Sequence, residues 1–107
     1  MAMIEWHPDK KRHLRMEILR ILSVRHGQQR SRMDDTMLCI SLRDLGWFDL
    51  DMNDTVTILQ DMSGRGWIKF RTLKNIYARR VQLSQIEILP EGQDIFDQVK
   101  TDPAVEI

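Results

Sequence analysis

Apolar residues recur along the chain with two different periods, and the change of period divides it. From Asp9 to Arg25 the spacing is helical: Leu14, Ile18, Ile21 and Leu22 follow i, i+4, i+7, i+8 and form one stripe. Pro8 suits the first turn of that helix, where its missing N–H is not needed. Met16 and Leu19 stand off the stripe, so this helix is expected to be sandwiched, inside the domain or against a partner. Gly27 reads as its C-terminal stop, and "HGQQRSR" as a polar, basic loop. A second helix is expected over 34–45, with Asp34 or Asp35 as N-cap. Its inner face would be Met37, Leu38, Ile40, Ser41 and Leu45, and Gly46 its stop. "WFDLD" leads to a third helix over 52–63, capped by Asp51 or Asn53, with Met52, Val56, Leu59 and Met62 on one face. Gly64 and Gly66, flanking Arg65, break it.

The period then falls to two. In "WIKFRTL" Ile68, Phe70 and Thr72 point one way, Lys69 and Arg71 the other. "RVQLSQIEIL" alternates through Val81 and Leu83 and resumes with Ile86 and Ile88. The phase slips by one residue near Ser84–Gln85, as a β-bulge would produce. "KNIYAR" between the two runs has the length of an extended hairpin tip. Pro90 opens a short last helix, "PEGQDIFDQVK", in which Ile95, Phe96 and Val99 are apolar, and residues 101–107 are expected to be a loose tail. The expected core joins Val56, Leu59, Met62, Ile68 and Phe70 to Leu14, Ile18 and Ile21. There is no internal repeat and no low-complexity segment.

Length makes this one domain: 107 residues, with a core spanning about 9–100. The lone cysteine, Cys39, excludes an internal disulfide and reads as a small buried hydrophobe. No run has signal-peptide character or approaches the ~20 apolar residues of a membrane span, so a cytoplasmic protein without membrane association is expected. Charge is more informative than its zero total. Residues 1–32 hold eight bases and three acids, a net of +5; residues 33–61 hold one base and seven acids, −6. Residues 62–85 hold six bases and no acid, +6; residues 86–107 hold one base and six acids, −5. Such blocks create separate surface fields.

Three helices, a two-stranded hairpin and a final helix, in that order, resemble a winged helix-turn-helix domain. Two stretches resemble regulators of the MarR and PadR kind more closely. "TVTILQDMSGRGWI", 55–68, looks like the end of a recognition helix running into a wing. "IEILPEGQDIFDQ", 86–98, looks like the second wing strand and the final helix, although Leu89 stands where Thr is usual and Gln93 where a base is usual. The resemblance covers roughly residues 10–100. It implies a mainly α fold with a small β-hairpin, in which helices 34–45 and 52–63 form the helix-turn-helix and 74–80 the wing tip. It also implies sequence-selective binding of double-stranded DNA to control transcription. Palindromic sites would ask for a homodimer, for which Met16 and Leu19, with Ile4–Trp6 and Phe96–Val99, offer apolar surface.

The reading helix poses a difficulty. Its outward residues are expected to be Asn53, Asp54, Thr57, Gln60 and Asp61. Asn and Gln can read adenine and Asp can accept from cytosine, yet affinity for DNA comes mainly from cations that neutralise phosphates. Either the helix reads a few bases while other segments supply attraction, or an acidic helix docks a basic protein at Asp54 and Asp61. The cations lie elsewhere. Arg65, Lys69, Arg71, Lys74, Arg79 and Arg80 cluster on the expected wing, with Ile76 and Tyr77 at its tip, and Arg30 and Arg32 precede the second helix. A further basic cluster, Lys10, Lys11, Arg12 and Arg15, lies on the first helix. Enzyme signals are poor. His7, His13 and His26 lack metal-ligand spacing with Cys39 or each other, capping explains the Asp34–Asp35 pair, and "GRG" follows a helix rather than a strand. No catalysis, metal or cofactor is expected. Trp47–Phe48, between two helices, is the apolar pair expected to be half exposed.

Overall fold

Pro8 starts the first helix, as its fixed φ and absent N–H favour, and α1 runs Pro8–Arg25. In a computed structural model, the residues described are 6–25, 33–75 and 80–105, without the side chains of 24, 25, 75 and 80. The remaining elements are α2 (Asp35–Asp44), α3 (Met52–Gly64), β1 (Ile68–Asn75), β2 (Arg80–Ile88) and α4 (Pro90–Phe96). Among the described residues, four helices and one two-stranded antiparallel sheet thus appear in the expected order. Gly27, the loop 26–32 and the hairpin tip 76–79 lie outside the described residues.

Both helix stops that Gly46 and Gly66 suggested have the same construction. Gly46 (φ 112°) and Gly66 (φ 79°) sit in the left-handed region, which glycine enters at little cost. Behind each, a tryptophan N–H reaches back into the last turn: Trp47 N to Leu42 O at 3.1 Å and Trp67 N to Met62 O at 3.2 Å. Each is a Schellman closure, which satisfies carbonyls the helix leaves open and folds the tryptophan against its end.

Side chains from all six elements meet in one core: Leu14, Ile18 and Leu19 of α1, Leu38 and Leu42 of α2, Ile58 and Leu59 of α3, Ile68 of β1, Leu83, Ile86 and Ile88 of β2, and Ile95 of α4. Val56, Phe70 and Ile21, expected to be buried, are partly buried and pack against it. Full burial of one such side chain contributes about 1.5–3 kcal/mol. Met16 and Leu19 are buried, so α1 is sandwiched within the fold and neither residue is free for a dimer contact.

Two helix faces differ from expectation. On α2 the buried set is Asp35, Leu38, Cys39 and Leu42, while Met37, Ile40 and Leu45 are exposed. Apolar residues surround this helix, so its pattern does not select a side. Asp35 does: its fully buried Oδ2 accepts from Leu83 N at 3.0 Å and anchors that side to β2. On α3 the buried face is Thr55, Ile58, Leu59 and Met62, with Met52 and Val56 at its margin. Thr55 takes a core position because its hydroxyl donates to Asp51 O at 2.8 Å, so that hydroxyl is not buried without a bond.

The hairpin is built as the alternation implied. Its ladder pairs Lys69 with Glu87 but Arg71 with Ser84, so β2 carries one extra residue, and Gln85 takes φ 51° there. This is the bulge expected at Ser84–Gln85. The pattern did not reveal that Ile86 N donates to Met33 O at 2.9 Å, which lays an extended residue before α2 along β2. Nor did it reveal that residues 101–105 are held. Ala104 and Val105 pack on the core, and Arg15 Nη1 donates to Ala104 O at 3.0 Å. The final helix ends at Phe96, before Val99, which is 77% exposed.

Candidate nucleic-acid interface

The acids of α3 each have a structural task. Asp51 is the N-cap: Oδ1 accepts from Asp54 N at 2.7 Å, and Asp54 Oδ2 accepts in return from Asp51 N at 3.5 Å. This reciprocal capping box satisfies two orphan donors and puts negative charge at the positive end of the helix dipole. Asp54 is therefore buried and not on the outward face where the sequence reading put it. Asp61 lies at the other end. Its Oδ2 accepts from Arg15 Nε at 3.0 Å and from Arg65 Nε at 3.1 Å. Burial pushes the Asp61 carboxyl up, but hydrogen bonds from Arg65 and Arg15, with both positive charges, outweigh it and hold the group below its ordinary value.

On α3 Asn53, Thr57, Gln60 and Gly64 are exposed, and the paired Asp61 carboxylate, 36% exposed, lies beside them. The spacing of the first three, i, i+4, i+7, keeps them on one strip. Thr57 Oγ1 donates to Asn53 O at 2.8 Å. The three side chains are polar and uncharged, and the charge beside them, Asp61, is paired with Arg15 and Arg65.

The cations of α1 prove to be largely committed. Lys10 Nζ sits 3.0 Å from Asp49 Oδ2 and 3.9 Å above the Trp6 ring. That hydrogen bond and charge hold the Asp49 carboxyl low. Arg12 pairs with Asp9 and Arg20 with Glu17, each at 2.8 Å, and Arg15 with Asp61. Asp9 and Glu17 are already counted in the +5 of the first block, and Asp49 and Asp61 from the acidic block offset part of what remains.

The hairpin keeps its charge more freely. Arg71 and Lys74 are exposed and make no ion pair among the described residues. Lys69 is exposed and faces Glu87 across the ladder at 3.3 Å. Strand alternation sends Lys69 and Arg71 to one face and Lys74 to the other, so the hairpin is cationic on both sides. Arg80 pairs with Asn75 at the far end of the ladder, its side chain outside the described set. Arg79, Arg30 and Arg32 lie outside the described residues altogether. Arg65 is exposed at the end of α3, shared between Asp61 and the Trp67 ring, 5.4 Å away.

Of two further features, an exposed apolar patch and a groove, the expectation that Trp47–Phe48 would be half exposed anticipated part of the first. Met37, Ile40, Leu45 and Phe48 are exposed on α2 and the turn after it, Phe48 most of all at 74%. Trp47 beside it is half-buried and stacks on Trp6 at 6.1 Å. A groove of about 730 Å³ runs between α1 and that turn, lined by His7, Lys10, His13, Met16, Leu45 and Trp47 among others. No cluster of three His, Cys, Asp or Glu among the described residues is placed to hold a metal ion, and no described helix is long and apolar enough to cross a membrane. The chain matches no protein-family model and no curated protein.

Proposed function

We propose that this chain is a winged helix-turn-helix protein that binds double-stranded DNA and regulates transcription, with α2 and α3 as the helix-turn-helix and the β1–β2 hairpin as the wing. The observation that carries the reading is the placement of the α3 acids. Asp51 and Asp54 cap the helix, Asp61 is neutralised by two arginines, and the exposed strip is left uncharged. A helix whose carboxylates are held by its own N-terminal amides and by two arginines repels phosphates less than one with three free carboxylates. The hairpin that leaves the C-terminal end of α3 supplies attraction through Lys69, Arg71 and Lys74. In this division of labour the cations hold the duplex without reading it, and the helix strip contacts bases.

The alternative, an acidic helix that docks a basic protein, needs Asp54 and Asp61 on the surface. One is buried and the other is already paired, which favours the DNA reading. Binding to a random-sequence duplex at low salt, followed as salt rises, tests it. The proposal expects measurable affinity with a steep inverse dependence on salt. Absence of binding at low ionic strength refutes it.

A further inference from the structure

The strip on α3 has a chemistry narrower than general DNA contact. Resting on the reading above, we infer that this helix selects A·T base pairs over about three consecutive steps of the major groove, through Asn53, Thr57 and Gln60.

Guanine is read from the major groove by a cation that donates to both O6 and N7, and cytosine by a carboxylate that accepts from its N4 amino group. No Lys or Arg lies within Met52–Gly64. Of the two acids of that span, Asp54 is buried in the capping box and Asp61, one-third exposed, is engaged by Arg15 and Arg65. The strip therefore lacks both partners that suit a G·C pair.

What is present suits adenine and thymine. The carboxamides of Asn53 and Gln60 each offer an acceptor oxygen beside a donor nitrogen, which matches the N6 donor and N7 acceptor of adenine. Against guanine, whose O6 and N7 both accept, the amide oxygen would face another acceptor. Thr57 donates its hydroxyl proton to Asn53 O at 2.8 Å. That bond turns the hydroxyl toward the helix and leaves the methyl as the group to meet the thymine C5 methyl, an apolar contact found only on A·T pairs. At 1.5 Å rise per residue the three side chains span about 10 Å of helix, about three base-pair steps of 3.4 Å. Asn53 stands in the first turn of α3, the end from which a recognition helix usually reaches base edges.

Selection of bound duplexes from a random pool tests the inference, because its failure differs from that of the DNA reading. The expected result is a bound pool enriched at about three adjacent positions in A·T pairs. Enrichment of G·C pairs at the positions that Asn53→Ala or Gln60→Ala alters overturns the inference while leaving DNA binding intact. A wild-type protein that retains no duplex at low salt overturns both. On the selected duplex, Asn53→Ala and Gln60→Ala should each lose about 5- to 150-fold in affinity, with random-duplex affinity unchanged. Replacing the contacted adenine with 7-deazaadenine, which lacks the N7 acceptor but still pairs with thymine, should weaken the wild-type protein and leave the matching alanine variant unaffected. Replacing the contacted thymine with uracil should weaken wild type but not Thr57→Ser. Equal responses of wild type and variant to either base analogue overturn the corresponding contact.

Discussion

Replacing Asp61 with Asn separates two roles of one carboxylate, support of the fold and restraint of nearby cations. Oδ2 accepts from Arg15 and Arg65 at 3.0 and 3.1 Å, and the Arg15 side chain is only 13% exposed. A hydrogen bond to a charged group contributes about 1.5–3 kcal/mol when sheltered, and an exposed ion pair about 0.2–1 kcal/mol. Asp61 itself is 36% exposed, which puts the Arg15 arm near the bottom of the first range and the Arg65 arm in the second. Asn retains an acceptor oxygen, so the loss should come to about 1–2 kcal/mol. In a domain of this size that lowers Tm by about 5–15 °C. The same substitution removes a negative charge beside the reading strip and releases Arg65. Random-duplex affinity should therefore rise, and log K should fall more steeply with log salt by about 0.9 if Arg65 takes one phosphate. Circular-dichroism melting and fluorescence anisotropy with a labelled duplex measure the two effects. The acid limb adds a check. The folded carboxyl titrates below the unfolded one, so its contribution is complete above about pH 4 and disappears as pH falls through the folded value. The Tm gap between wild type and Asp61→Asn should close there. A variant that melts with wild type at pH 7, or that is folded and binds random duplex more weakly, refutes the reasoning.

Gly92→Ala tests the seat of α4. A Cβ there would collide with the Trp67 carbonyl oxygen and lie 3.1 Å from Ile88 Cγ1. Alanine ordinarily stabilises a helix interior by about 0.5–1 kcal/mol over glycine; here it should destabilise by about 1–3 kcal/mol, and a rise in Tm would contradict the packing. On α2, Leu42→Ser should cost several times more stability in denaturant unfolding than Ile40→Ser, which should stay within about 0.5 kcal/mol of wild type. The reverse order would restore the inner face suggested by Met37, Ile40 and Leu45.

Local chemistry was legible in the sequence, and the partners of distant residues were not. Strict alternation along β2 exposed the slip at Ser84–Gln85, because one extra residue inverts the side of every residue after it. The two Gly-Trp stops on α2 and α3 were visible as glycines at the ends of apolar runs. The side of α2 that faces inward was not, since Met37 and Ile40 are as apolar as Leu38 and Leu42. The deciding contact, Asp35 to Leu83 N, spans 48 residues. The acids of α3 divide in the same way. Asp51 as a cap follows from its place before the helix, and its reciprocal partner stands three residues on. The pairing of Asp61 with Arg15 crosses 46 residues and left no trace in any local pattern. The residues around Ala104 read as a loose tail because what holds them is a bond from Arg15 to a main-chain carbonyl, which no side-chain identity signals. For the interface, the cationic hairpin could be found by counting. How the carboxylates of α3 are engaged required their three-dimensional partners.

The most direct test of the account is the salt dependence of random-duplex binding for wild type and for Arg71→Gln with Lys74→Gln. Both side chains are exposed and unpaired among the described residues, so the double variant should fold as wild type does. The account expects wild type to bind at low salt with an affinity that falls as a power of salt concentration. It expects the double variant to lose affinity for all sequences alike and its salt slope to shrink by about two units, one for each phosphate contact removed. A double variant with wild-type affinity and slope, or a wild-type protein that ignores duplex DNA at low salt, would contradict it.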